Sequence, residues 1–195
     1  MNRAAAPSPA PDPSCLPFRL ETALERVLAA DPDWQAGIAW GEPRRGHPEG
    51  RVVWHIRDVL GNVETLYAAS AQRARLRLIA LIHDSFKYQV DRNAPRSPTN
   101  THEYFARRFA ERYLDDPGVL EVIELHDSAF KAHQRLRRTG DAAEAEGRAR
   151  ALIARLGGHL DLFLTFYLCD NRTGDKSMEH YMWFQGICYN DSRTW

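Results

Sequence analysis

The chain has 195 residues, of which 44% are hydrophobic and 27% charged, and its formal net charge is +0. That length suits one domain with a substantial core, and the charge balance gives no general attraction to nucleic acid or to an anionic membrane surface. Cys15, Cys169 and Cys188 are odd in number and far apart, which argues against a disulfide scaffold or a cysteine-rich zinc site and fits a reducing compartment.

The first residues, MNRAAAPSPAPDPS, lack the apolar stretch of a signal peptide. No uninterrupted apolar run reaches the roughly 18–20 residues of a membrane span, so the expected setting is the cytoplasm, away from membranes. Residues 1–16 are rich in Ala, Pro and Ser and are predicted to be a disordered tail, with the remaining domain covering 17–195. Strand signals are scarce, whereas helical periodicity recurs, and the predicted class is all-α, a single-domain helical bundle.

A first helix is predicted over 18–30, with Leu20, Ala23, Leu24 and Leu28 on one stripe, followed by a loop over 31–50 containing Gly41, Pro43, Gly46 and Pro48. A second covers 51–68, with Val52, Ile56, Val59, Leu60 and Val63 inward, and a third covers 71–86, with Leu76, Ile79 and Ala80 inward. The segment QVDRNAPRSPTN interrupts the pattern with two prolines. A helix over 101–114 carries Phe105, Phe109 and Tyr113. Asp116-Pro117 then reads as an N-cap with proline at the first helical position, opening one helix that runs to 138. Asp141 caps the next, which stops at Gly157-Gly158. LDLFLTFYLC is apolar nearly all round, as expected of a helix at the domain centre. A last helix occupies much of 175–188, where Tyr181, Trp183 and Phe184 read as core.

The histidines and aspartates fall on the inward faces of these elements. His83 follows Ile79 and Ala80 by four and three residues, and Asp84 comes next. His55 precedes Val59 by four, His102 precedes Phe105 by three, and His126 follows Val122 and Ile123. Asp170 ends the most apolar helix, where an ionised carboxylate is costly unless a positive charge meets it. A divalent transition metal meets that need, and mixed imidazole and carboxylate donors suit manganese, iron, zinc, nickel or cobalt more than calcium.

The ordered set His55 … His83-Asp84 … Asp170 resembles the H…HD…D signature of the HD superfamily, and His102 and His126 extend it to the pattern of members with two metals. GHPEGRVVWH (46–55) is similar to the segment before the first metal histidine in HD phosphohydrolases, including the HD domain of tRNA nucleotidyltransferases. CDNRTG (169–174) is similar to the family's closing motif. The likeness covers about 46–176. It implies a helical HD domain in which His55, His83, Asp84 and Asp170 hold a first ion, while Asp84 bridges to a second held by His102 and His126. It also implies a metal-dependent phosphohydrolase that acts on a phosphomonoester or phosphodiester, nucleotides included, through attack by metal-bound hydroxide.

Asp84 and Lys87 are then the catalytic candidates, since Lys87 stands one turn beyond Asp84 in HDSFK. Lys87, Arg172, Lys176 and, more weakly, Lys131 are the candidate substrate-binding cations, placed for a small phosphate ester or nucleotide. Asp58 is a candidate acceptor for the second ring proton of His55. His47 reads as a structural residue that ends the loop, rather than one that shapes a pocket mouth, His133 as near solvent, and His159 and His180 as surface or packing residues. Two other readings stay open: a di-iron oxygenase, because some HD proteins with this ligand set and HD-x-x-K cleave bonds with dioxygen, and a non-catalytic metal- or nucleotide-binding regulator. Metal identity and oligomeric state stay open as well.

Overall fold

The computed structural model describes residues 16–95 and 97–191. The predicted tail up to residue 15, and Cys15 with it, lies outside the described residues; Leu16, placed in that tail, packs against the core.

Ten α-helices and no strands make up the described residues: α1 Ala23–Ala29, α2 Pro32–Ala39, α3 Val52–Tyr67, α4 Arg73–Ile82, α5 His102–Ala110, α6 Pro117–Leu125, α7 Ser128–Thr139, α8 Ala142–Leu156, α9 Leu160–Asn171 and α10 Glu179–Asp191. The fold is all-α, as predicted, and forms one compact unit around α9. That helix packs on α3, α4, α6, α8 and α10, and α7 lies between α8 and α10. Phe163, Phe166 and Tyr167 of α9 are buried with Ile56, Val59, Ile79, Val122 and Phe184 from its neighbours. With α8 and an intervening 3-10 turn, α9 forms a 30-residue run, Ala142–Asn171, whose most apolar window has a mean hydropathy of 1.3. In this fold α9 is the central core helix.

Several boundaries differ from expectation: α5 ends at Ala110 rather than 114, α10 runs from Glu179 to Asp191, and four further differences have a local reason. The first helix begins at Ala23 because Thr22 and Glu25 form a capping box that fixes its start. The predicted loop over 31–50 contains α2, opened by Asp31 as N-cap and Pro32 at the first position, the same signature as Asp116-Pro117. This short helix buries Trp34 and Ile38.

The third predicted helix stops at Ile82. The Leu81 carbonyl accepts from Trp34 Nε1 at 2.7 Å and from Ser85 Oγ at 2.8 Å, while Ser85 N turns to Ile82 O at 3.1 Å. The chain therefore leaves α4 in a turn at His83-Asp84. Gly37 makes that turn possible, since a β-carbon there would stand 1.6 Å from Ser85 O. The helix predicted over 117–138 is likewise two helices, α6 and α7, broken at His126-Asp127.

Candidate metal centre

Five elements meet at one end of α9. His55 comes from α3, His83 and Asp84 from the turn after α4, His102 from the first turn of α5, His126 from the end of α6, and Asp170 from the last turn of α9. His55, His83 and His126 are each at most 2% exposed, Asp84 is 4% and Asp170 9%. The six residues predicted as metal ligands are brought together.

Their atoms fall into two groups. Around one point lie His55 Nε2, His83 Nε2, Asp84 Oδ2 and Asp170 Oδ1. The separations are 3.3 Å between the histidines, 3.0 and 3.6 Å from His55 to Asp170 and Asp84, and 3.7 and 3.9 Å from His83 to Asp84 and Asp170. Around a second point lie His102 Nε2, His126 Nε2 and the other Asp84 oxygen, Oδ1. The histidines are 3.2 Å apart, and each is 3.5 Å from Oδ1. Donors bound at about 2.0–2.2 Å and roughly 90–110° apart around one ion are separated by about 2.9–3.6 Å. Most of these distances fit that spacing, and Asp84 offers one oxygen to each group.

The tautomers give a sharper test of fit. His83 Nδ1 lies 3.1 Å from Ala80 O, and His126 Nδ1 lies 2.8 Å from Ile123 O. A carbonyl only accepts, so each Nδ1 carries the proton, and a neutral ring then turns a bare lone pair inward at Nε2. For the other two rings a carboxylate takes the carbonyl's place. Glu49 Oε1 is 3.3 Å from His55 Nδ1 and Glu103 Oε2 is 3.3 Å from His102 Nδ1, close ionic contacts without hydrogen-bond angles. All four imidazoles thus point Nε2 at the same small volume, as ring nitrogens that bind a metal do. Ring nitrogens 3.2–3.3 Å apart need a proton or a metal ion between them, and in the metal-free protein the raised pKa values of His55 and His126 supply the proton. These buried groups could hold a metal ion.

In the metal-free protein, protons and ammonium groups balance the carboxylates. Burial alone would raise the pKa of Asp84, but Lys87 and the surrounding histidines hold it well below the usual carboxylate range. Asp170 is held down in the same way by Lys176 and His55. Burial works against the Lys87 charge, yet Asp84 and Asp127 raise its pKa. Burial pushes His83 down to about 3. It pushes His126 the same way, but there Asp84 and Asp127 outweigh it and lift the ring to about 9.

The candidate cations divide. The Lys87 ammonium touches Asp84 Oδ2, and Lys176 Nζ donates to Asp170 Oδ1 at 2.8 Å. Both line a cleft of about 730 Å³ that reaches the centre at Asp170, with the exposed Arg44 and Arg45 and with Asp127 also in its lining. Arg172 is exposed and is not part of that wall. Lys131 binds Glu103 and faces a separate groove beside Arg135 and Arg138. Neither is placed where a phosphate at the centre would meet it.

Asp58 pairs with Arg57 on the surface, with Nη2 to Oδ1 at 2.7 Å. The carboxylate beside His55 Nδ1 is Glu49, from GHPEG, and it also takes the Nδ1–H of His47 at 2.9 Å. His47 lines the cleft, as do His133 and His180, which are buried rather than near solvent. The two motifs flanking the histidines interlock. Gly46 N donates to Asp175 Oδ1 at 2.7 Å, and Gly174, at φ +57°, leaves no room for a β-carbon 2.9 Å from Pro48 Cδ.

One donor was missed. Asp127 Oδ2 lies 3.7 Å from His102 Nε2 and its Oδ1 3.9 Å from His126 Nε2. The signal was present, because His126-Asp127-Ser128 repeats His83-Asp84-Ser85, and both histidines bond a carbonyl three residues back. Comparison of the chain with protein-family models, with curated proteins and with solved structures gives no match.

Proposed function

We propose that the protein is a metal-dependent phosphohydrolase of the HD type, acting on a small phosphate ester, nucleotides among them. The observation that carries this reading is the shared orientation of four imidazoles, three of them buried, whose Nε2 atoms converge on Asp84 and Asp170 beside a cleft lined by Lys87 and Lys176.

His55, His83, Asp84 and Asp170 would hold a first divalent ion, and Asp84, His102 and His126 a second, with Asp127 beside it. Such ions supply Lewis acidity toward a phosphoryl oxygen and acidify bound water. Manganese, iron, nickel, cobalt and zinc all suit this donor set. The chain's own groups do the rest. Lys87 and Lys176 present ammonium groups to the equatorial oxygens of a phosphoryl group, where phosphoryl transfer needs charge neutralisation and positioning. The Ala80 and Ile123 carbonyls hold His83 and His126 in the binding tautomer, and the Glu49 and Glu103 charges favour the same tautomer in His55 and His102. Arg44 and Arg45 extend the positive field to the rim. The buried thiols Cys169 and Cys188 suit a reducing cytoplasmic setting.

The test is elemental analysis of protein purified without chelators, followed by a panel of phosphomonoesters and phosphodiesters. About one or two equivalents of a transition metal, with phosphate release that EDTA abolishes, is the expected result. Absence of any transition metal after reconstitution refutes the reading. Two irons with oxygen uptake and no phosphate release would replace it with the oxygenase.

A further inference from the structure

The cleft holds a second pair of titratable side chains that the metal centre does not use. Tyr167 stands one turn before Asp170 on α9, and its hydroxyl lies 2.6 Å from His180 Nδ1 on α10. Tyr167 is 2% exposed and His180 7%, yet both rings line the cleft that contains Asp127, Asp170, Lys87 and Lys176. Phe130 of α7 packs edge-on against the His180 ring, with centroids 4.9 Å apart, and His133 lies on the same side at 6.2 Å. The imidazole is held between α7, α9 and α10.

The direction of the hydrogen bond follows from its surroundings. Burial and the nearby Asp170 charge push the Tyr167 phenol far above its ordinary range, so it keeps its proton and donates. Burial also lowers the His180 pKa, which favours a neutral ring. A neutral imidazole that accepts at Nδ1 carries its only proton on Nε2. That Nε2 has no protein partner among the described residues. The result is an N–H, fixed in tautomer and orientation, on the wall of a cleft that Asp170, Lys87 and Lys176 also line.

We propose that His180, positioned by Tyr167, donates a hydrogen bond to the ester oxygen that leaves phosphorus. This inference rests on the phosphohydrolase reading. In the step, a water oxygen forms a new bond to phosphorus and one water proton passes to solvent. The phosphorus–ester oxygen bond breaks, and its electron pair stays on the departing oxygen. His180 Nε2–H steadies that growing negative charge and keeps its own proton, while the departing oxygen takes a proton from solvent. For a phosphomonoester the products are one alcohol or phenol and one inorganic phosphate. A preorganised donor aimed at developing charge in a water-poor site is worth about 10²–10³-fold in rate.

The experiment compares two aryl phosphates, phenyl phosphate with a poor leaving group and 2,4-dinitrophenyl phosphate with a good one. For His180→Ala the expected loss in kcat is about 100-fold or more on phenyl phosphate, with only a few-fold loss on the dinitrophenyl ester, because less charge needs steadying there. KM and metal content stay near wild type. His180→Gln, whose amide N–H reaches close to the position of Nε2, recovers part of the loss. Tyr167→Phe shows a smaller loss, again confined to phenyl phosphate.

Equal losses on both esters, or a fall in metal content, refute the role of His180 while leaving the hydrolase reading standing. No turnover of any phosphomonoester or phosphodiester by the metal-loaded wild-type protein refutes both. The ¹⁵N chemical shifts of His180 in the wild-type protein need no variant: a proton on Nε2 is expected, and a neutral ring with its proton on Nδ1 overturns the proposal.

Discussion

Replacing Glu49 tests whether the four imidazoles are held as metal donors or merely packed. Its side chain is 6% exposed, and its Oε1 stands 3.3 Å from His55 Nδ1 and 2.9 Å from His47 Nδ1. It is the only carboxylate found beside the outer nitrogen of His55 among the described residues. Loss of such a supporting acceptor weakens metal binding by about 10–100-fold, or roughly 1.4–2.8 kcal/mol. Glu49→Gln keeps the shape and one accepting oxygen but not the charge, so it should sit near tenfold, and Glu49→Ala near the upper end.

Competition with a metallochromic chelator reads the affinities directly. The loss should fall on the position built from His55, His83 and Asp170, while the one built from His102 and His126 changes little. Asp58→Ala is the control and should bind as wild type, because Asp58 pairs with Arg57. Unchanged affinity in Glu49→Ala, or equal losses at both positions, would refute the reasoning. The metal-free protein gives a second readout. Although burial raises the Glu49 pKa, His55 and His47 draw it down from 4.5 to about 2. Its ionised form therefore stabilises the fold above about pH 4.5, and that contribution is lost as pH falls toward 2. The Tm gap between wild type and Glu49→Gln should narrow over that interval.

Asp84→Ala should abolish binding of both ions, because its two oxygens face different groups, whereas His102→Ala should remove only one equivalent; elemental analysis of the two variants separates them. Lys87→Ala and Lys176→Ala should keep their metal and lose turnover by about 10-fold or more, while Arg172→Ala keeps both, and steady-state rates beside metal content show whether the cleft has been identified correctly. Gly37→Ala should destabilise the fold by about 3 kcal/mol or more, since its β-carbon would enter the space of Ser85 O, and a thermal melt within a degree of wild type would contradict the packing of α2 on that turn.

The helical class and the central position of α9 were legible because they depend on long-range averages. Twelve residues that are apolar on most sides can only be buried, and α9 is. The boundaries were less legible because they depend on single tertiary contacts. Nothing local in RARLRLIALIHDSF ends a helix at Ile82, since the Leu81 carbonyl is taken by Trp34, 47 residues away. Asp31-Pro32 was a different case. Its capping chemistry is the same as that of Asp116-Pro117, but the run between Pro32 and Gly41 is short, and the prolines and glycines after it concealed the helix.

At the centre, the inward donors were legible and their supports were not. Helical spacing puts His55, His83, His126 and Asp170 on buried faces, which is a property of each helix taken alone. Which carboxylate stands behind a ring depends on where a loop returns. Asp58 is three residues from His55 on the same helix and turns out to solvent. Glu49 reaches the ring because Gly46 and Pro48 are pinned against Gly174 and Asp175 from the far end of the chain. The same logic accounts for Asp127. A single helix over 117–138 would carry it away from His126, but the break between α6 and α7 turns both toward His102, as the end of α4 turns His83 and Asp84 inward. Two helices that end at the same tripeptide therefore deliver a histidine and an aspartate each. The two ends differ in what the aspartate meets. Asp84 is buried between the two donor groups and suits a bridge, whereas Asp127 is about one-third exposed in the cleft wall and is open to ligand.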